Sequence, residues 1–269
     1  MTVAEIGSDD YIGRSVEYTE GKRLHTAYNF LLLENGPLTA HLIRDALERW
    51  TSDEAWPSWS FSNHDVPRAR TRGGGQDAGD AFANVLMGVL MCLRGTIFLY
   101  QGDELGLPQA DVPFEKLRDP EGIRFWPESL GRDGCRTPLP WHGGQPNAGF
   151  SAAEPWLPVS PEHDRLAVDR QVAQPDSTLM LTRRFIAFRK DHAALRLGAI
   201  RFIDMPEPIL AFWREHEGQR LLCLFNLGAA AVELPLPEGA GAVLDYGLPG
   251  TVADGVASLP GWGGMVLQG

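Results

Sequence analysis

Trp56-Pro-Ser-Trp59-Ser-Phe61-Ser-Asn63-His64-Asp65 alternates aromatic and small side chains, then breaks into the polar triplet Asn-His-Asp. Alternation of period two marks residues 56–62 as a strand, with chemistry-bearing side chains where it ends. Downstream, glycines 73–75 precede a helical pattern whose apolar face is Phe82, Val85, Leu86, Val89, Leu90 and Leu93. Gly95 stops that helix, and residues 96–100 (TIFLY) are wholly apolar, as strands of a parallel sheet covered on both faces are. Upstream, residues 25–33 (HTAYNFLLL) form another apolar run of strand length. Pro37 then starts a helix carrying Leu38, Leu42, Ile43, Ala46, Leu47 and Trp50 at helical spacing. Residues 2–6 read as a first strand around Glu5, residues 8–23 as a polar loop, and residues 178–192 as a last amphipathic helix.

Strands alternating with helices imply a parallel sheet with helices outside it, an α/β class. Four such units are half of an eight-stranded TIM (β/α)8 barrel, which normally takes roughly 250 residues. Residues 101–175 have no sustained periodicity and are rich in Pro, Gly, Trp and Asp. A loop region of that length inside a domain is usually functional. After Gly198 the texture changes to short strands (200–203, 209–213, 221–225, 232–236) separated by turn residues. The reading is a partial barrel over 1–198 and a small antiparallel β domain, a sandwich, over 199–269.

Composition narrows the function. Lys and Arg total 24 against 35 Asp and Glu, a net charge of −11 that argues against a nucleic-acid partner. No apolar stretch approaches a membrane span, so no membrane association is expected. The three cysteines are scattered and form no CxxC, and no signal peptide is visible, so a reducing, cytoplasmic setting is expected. The histidines other than His64 show no ligand spacing, and no metal or other cofactor is implied.

In parallel α/β folds the active site lies at the C-terminal ends of the strands. Glu5 and Asp65 occupy such ends, with His64 adjoining, although a carboxylate there is costly to desolvate. The plainer alternative makes Asp65 a turn cap and Glu5 a surface residue. Arg68, Arg70 and Arg72 read as loop residues pairing with excess acid. Trp126, Trp141, Phe150 and Trp156 read either as loop anchors or as faces for a sugar ring.

The segment Phe61-Ser-Asn-His-Asp65-Val-Pro-Arg68 resembles the fourth signature region of the α-amylase superfamily, glycoside hydrolase family 13. Thr2-Val-Ala-Glu5-Ile-Gly resembles the third, and Tyr100-Gln-Gly-Asp-Glu104-Leu-Gly-Leu resembles the end of that barrel's last strand. Gly131-Arg-Asp-Gly-Cys-Arg136-Thr-Pro-Leu-Pro-Trp141 is similar to a segment of α-glucosidases and oligo-1,6-glucosidases. The resemblance covers the whole chain as the C-terminal half of such an enzyme, strands five to eight plus the β domain. It implies that Glu5 is the general acid/base and Asp65 the carboxylate that stabilises the transition state. It implies that His64 hydrogen-bonds the sugar and that Arg136 contacts substrate. Asp103 and Glu104 would steady Arg136 or His64 from behind, with a turn cap as the competing role. The implied substrates are short α-glucosides, cleaved with retention through an oxocarbenium-like state.

One departure matters more than the matches. The family's nucleophile is an Asp in a Gly-Phe-Arg-x-Asp-type motif, and this sequence contains no such motif. The expectation is therefore a C-terminal fragment, inactive alone, whose partner is a missing N-terminal half of the same enzyme. Two rival readings stay open: a non-catalytic sugar-binding or scaffolding relative, and a transglycosylase or isomerase of the same family.

Overall fold

A computed structural model describes the chain from residue 1 to residue 269, apart from Asn35, Thr51, Asp53, Gln76 and Asp77. The strands β1 (Val3–Ala4), β2 (Thr26–Tyr28), β3 (Pro57–Trp59) and β4 (Thr96–Ile97) form one parallel sheet in the order β1-β2-β3-β4. The register pairs Val3 with Thr26, Ala27 with Pro57 and Trp59 with Ile97. These strands are shorter than the apolar runs that contain them, and after β2 and β3 asparagine side chains turn the backbone. Asn29 Oδ1 accepts from the Leu31 N–H at 2.9 Å, and the chain turns into a 3₁₀ helix, Leu31–Leu33. Asn63 Oδ1 does the same for Asp65 and Val66, at 2.8 and 3.1 Å.

Helix α1 (Tyr11–Thr19) occupies the stretch expected to be a loop. Asp10 caps it, accepting from the Gly13 N–H at 3.0 Å, and Ile12 and Val16, one turn apart, pack on Ala27 and Trp50. Gly13 permits this cap, since a Cβ there would lie 2.3 Å from the Asp10 carboxylate. Helix α2 (Ala40–Glu48) starts three residues after Pro37, with Thr39 as its N-cap. The glycines precede the next helix as expected, and they also close a further short helix, α3 (Ala69–Gly74). A Cβ on Gly73 would strike Leu38 and one on Gly74 would strike Phe82, so these two glycines let α3 pack closely.

Helix α4 (Asp80–Cys92) is buried almost throughout and pairs with α8 (Thr178–Asp191). Between them, residues 101–175 carry only 3₁₀ turns and the short helices α5 (Pro120–Arg124), α6 (Pro161–Asp164) and α7 (Val168–Val172). Helix α9 (Ala193–Leu197) leads into β5 (Ala199–Ile203), and everything after it is strand or turn. A five-stranded antiparallel sheet has the order β5-β6-β7-β12-β9, built from β5, β6 (Ile209–His216), β7 (Gln219–Asn226), β12 (Gly264–Gln268) and β9 (Val243–Leu244). A three-stranded sheet of β10 (Thr251–Ala253), β11 (Val256–Leu259) and β8 (Val232–Pro235) lies against it. Strands β6 and β7 are apolar on both faces for this reason. Phe212, Cys223 and Phe225 join the core around α4 and α8, while Ala211, Trp213 and Leu224 face the smaller sheet.

Arg214 and Glu207 are among the residues that fasten the β region to the helices. Arg214, with no exposed surface, donates to the carbonyls of Cys92, Gly198 and Ala199. Glu207 caps α2 from outside, accepting from the His41 N–H at 2.6 Å and the Ala40 N–H at 3.4 Å. A carboxylate at a helix N-terminus satisfies orphan donors and the helix dipole together. Glu207→Ala is therefore expected to lower stability by about 1 kcal/mol, less in high salt. Urea unfolding at two salt concentrations checks it, and an equal loss at both would remove the electrostatic part of this account.

Candidate active site

All the sheet's C-terminal ends open onto one cavity of about 400 Å³. Glu5 follows β1 directly, Tyr28 is the last residue of β2, the loop after β3 brings Ser62, His64 and Asp65, and the run after β4 brings Phe98 and Tyr100. Glu5, His64 and Asp65 are exposed at this rim. Arg136 reaches the same place from the long loop region. Its Nε donates to the His64 carbonyl at 2.7 Å and its Nη2 meets Asp65 Oδ1 at 3.0 Å. The four residues singled out in the sequence therefore converge, from positions 5 to 136.

Asp65 is held from three sides. Besides Arg136, Arg132 Nη1 lies 3.2 Å from Oδ1 and His64 Nε2 lies 3.4 Å from Oδ2. Arg132 is itself fixed by Asp119, whose side chain has no exposed surface and accepts from the Arg132 Nε at 2.8 Å and Nη2 at 3.1 Å. Hydrogen bonding to Arg132 holds the Asp119 carboxyl well below the usual range. Asp133, also buried, accepts the backbone N–H groups of Arg118 and Asp119 at 2.6 and 2.9 Å. A chain of buried carboxylates thus shapes the 118–136 segment so that two guanidinium groups arrive at one exposed carboxylate.

Arg68 joins that segment to the sheet. Buried, it donates to the carbonyls of Gln101 and Cys135 at 2.9 and 3.1 Å and lies 5.3 Å over the Tyr100 ring. The expectation that Arg68, Arg70 and Arg72 pair with surface acid is corrected here. Among the described residues, only Arg70 of the three meets a carboxylate, Asp80 at 2.8 Å, and even Arg70 also donates to the Gly106 carbonyl at 2.6 Å. Arg72 donates to the carbonyls of Leu32, Glu34 and Phe61. Loops at the ends of parallel strands leave carbonyls without partners, and a planar guanidinium can satisfy several of them at once.

Asp103 and Glu104 lie in the turn after β4, and neither is hydrogen-bonded to Arg136 or His64. Arg136 goes instead to His64 and Asp65. Glu104 accepts from the Gly102 N–H at 2.7 Å, the turn-capping role. Asp103 is buried, and burial pushes its carboxyl up to about 6, opposed by Arg68 and then by a hydrogen bond from Ser62. The folded protein then holds this proton more tightly than the unfolded chain does. Ionised Asp103 costs stability, little below about pH 4 and increasingly up to about pH 6. Between pH 4 and pH 7 the stability of Asp103→Asn relative to the parent should rise by of order 2 kcal/mol. Urea unfolding at both pH values measures this, and a pH-independent difference would rule it out.

The loop aromatics stand apart from this cavity. Trp126 packs on Phe114 with ring centroids 5.5 Å apart, and Trp141, Phe150 and Trp156 are exposed. Tyr28, Phe98 and Tyr100 are the aromatic residues that line it. Of these, Tyr100 closes an apolar run, whereas Tyr28 and Phe98 lie inside runs and no sequence pattern set them apart. Among the described residues, no group of three or more His, Cys, Asp or Glu side chains could hold a metal ion. Among them, too, no helix is long and apolar enough to cross a membrane.

Residues 18–198 match the catalytic domain of alpha amylases, and residues 200–246 match the C-terminal domain of maltogenic amylase. A probable alpha-glucosidase of Rhizobium meliloti (strain 1021) is 41% identical over 274 residues, covering 99% of this chain and 49% of the relative. The oligo-1,6-glucosidase of Heyndrickxia coagulans is 29% identical, covering 88% of this chain and 49% of the relative. The chain spans about half the length of the curated relatives it matches. Among solved structures, the alpha-glucosyl transfer enzyme XgtA superposes with a TM-score of 0.94 at 46% identity, covering 99% of this chain and 50% of that one. A variant of the trehalulose synthase MutB superposes with a TM-score of 0.81 at 27% identity, covering 92% of this chain and 52% of that one. On the match of residues 18–198 and on these relatives, the chain belongs to the α-amylase family, glycoside hydrolase family 13.

Proposed function

We propose that this chain is the C-terminal half of a retaining α-glucoside hydrolase of the cytoplasm, acting on short α-glucosides. Its four-stranded sheet is then strands five to eight of the barrel, and β1 and β4 are the edges that a first half would complete. The observation that carries this reading is that Glu5, His64 and Asp65 line one cavity at the strand ends, with Arg136 bonded to both His64 and Asp65. Glu5, exposed at the rim, donates a proton to the leaving oxygen and later takes one from water. Asp65, ionised between two guanidinium groups, binds sugar hydroxyls more tightly as positive charge develops on the ring. His64 donates to a hydroxyl from the same loop, and Arg136 fixes the Asp65 carboxylate and the His64 backbone carbonyl. The nucleophile comes from a Gly-Phe-Arg-x-Asp-type motif in the completing half.

A second reading is favoured by a specific comparison. The solved structure named as an alpha-glucosyl transfer enzyme is 46% identical to this chain. Transfer and hydrolysis share every step up to the glycosyl intermediate and differ in what attacks it. Joining this chain to the N-terminal half of the Rhizobium meliloti relative tests both readings. Turnover of an aryl α-glucoside is expected, and chromatography of the products separates glucose from transferred glucoside. A joined protein that is folded and binds glucose but turns nothing over would overturn the enzymatic reading in favour of a sugar-binding relative.

A further inference from the structure

A second cavity, of about 360 Å³, lies in the 116–164 region and shares no residue with the cavity at the strand ends. We propose that it is a saccharide-binding site in its own right. Its wall carries Trp156, an indole that is 66% exposed. Lys116 and Glu154 pair at 2.9 Å on the same wall, joined by Arg118, Gln145 and Asp164. Two cations and two carboxylates cancel, so neither an anion nor a cation gains net attraction there. What remains is an apolar face beside donors and acceptors of both kinds. That chemistry suits a neutral ring with C–H groups on one face and hydroxyls around its edge. The volume falls at the small end of the range for small-molecule sites, about 300 to 1,000 Å³.

The cavity is built rather than accidental. Pro155, Pro158 and Pro161 line it, which fixes the backbone before any ligand arrives. On its other side Asn147 and Ala148 both take left-handed backbone conformations, with φ of 51° and 50°. Two consecutive non-glycine residues held this way are strained, and such strain gathers at binding sites. The surroundings maintain it: the Asn147 amide donates to the Ser151 and Ala153 carbonyls, each at 3.0 Å, and Ala148 is buried. Arg118 Nε lies 3.4 Å from the Trp156 carbonyl, and its backbone N–H is anchored on Asp133, so the wall is tied to the segment that carries Arg132 and Arg136.

The site goes beyond the glycosidase reading, and its test uses no turnover. The full 269-residue chain, with ¹⁵N-labelled tryptophan, is titrated with maltotriose and with isomaltotriose, and Trp156→Phe identifies the indole resonance. We expect the Trp156 resonance to shift and saturate with a Kd of the order of 1–10 mM for at least one sugar, while that of buried Trp59 stays fixed. Gln145→Ala and Glu154→Ala, both at exposed positions, should each weaken binding about fivefold, roughly the loss of one hydrogen bond. An unshifted or non-saturating Trp156 resonance overturns the proposal, as does binding that both variants leave intact. The same titration on the joined enzyme separates a sugar site from a contact within the whole protein. Loss of the shift there assigns the cavity to the completing half and also overturns the proposal.

Discussion

Given an aryl α-glucoside, the 269-residue chain alone is expected to hydrolyse it no faster than buffer does, while the joined enzyme turns it over at least about 10⁶-fold faster. The gap is this large because the missing group is a reactant. Retention needs two carboxylates on opposite sides of the anomeric carbon, one to protonate and one to form the glycosyl intermediate. Every carboxylate placed at the cavity here already has another task. Asp65 is engaged by Arg132, Arg136 and His64, and Glu5, two positions past the start of β1, is the acid in the proposed reading. General acid catalysis by itself contributes typically about 10² to 10⁴ in rate. Binding would suffer as well, because β1 and β4 are the edges of the described sheet and the residues lining the cavity come from its four strands and their loops alone. Stopped assays of the purified chain and of the joined protein, on the same substrate, give the comparison. Robust turnover by the chain alone would defeat the argument and demand another nucleophile, with Asp103 and Glu104 the first to replace.

The parts of this architecture legible in the sequence were those with strong periodicity. The apolar face from Phe82 to Leu93 became α4, and the pairing of Asn-His-Asp with a strand end put His64 and Asp65 at the rim. What escaped was set by single polar side chains. Strand lengths were overestimated because Asn29 and Asn63 divert the backbone, an effect that hydrophobic runs do not record. Helix α1 was hidden by Gly13 and a polar composition, although Asp10 as cap and the Ile12–Val16 spacing were present. Arg132 lies inside a motif that was quoted for Arg136. Its role depends on Asp119, a partner 13 positions away that only the folded loop brings near. Buried arginines such as Arg68 and Arg214 are the general case. Their partners are backbone carbonyls, and any residue can supply those, so no residue pattern announces them.

In the joined enzyme, Glu5→Gln should divide substrates by leaving group. With isomaltose or methyl α-glucoside, whose leaving alkoxides need a proton, kcat/KM is expected to fall by about 10³ to 10⁴. With 2,4-dinitrophenyl α-glucoside the bond breaks without protonation, so kcat/KM should fall less than about tenfold. For that substrate kcat should nevertheless drop, because the same side chain must afterwards deprotonate the attacking water as the glycosyl intermediate breaks down. Azide attacks without losing a proton. Added azide should therefore raise kcat of the variant on the activated substrate and yield a glucosyl azide of retained configuration, while leaving the parent enzyme little changed. Gln keeps the size and most of the hydrogen bonding of Glu, and Glu5 sits exposed at a strand end, so the fold is not at stake. This pattern separates proton transfer from positioning. A residue that merely shaped the cavity would, when changed, depress both substrates alike and gain nothing from azide. An equal loss on both substrates would thus remove Glu5 from the chemistry and leave Asp65, with its two arginines, as the site's working carboxylate.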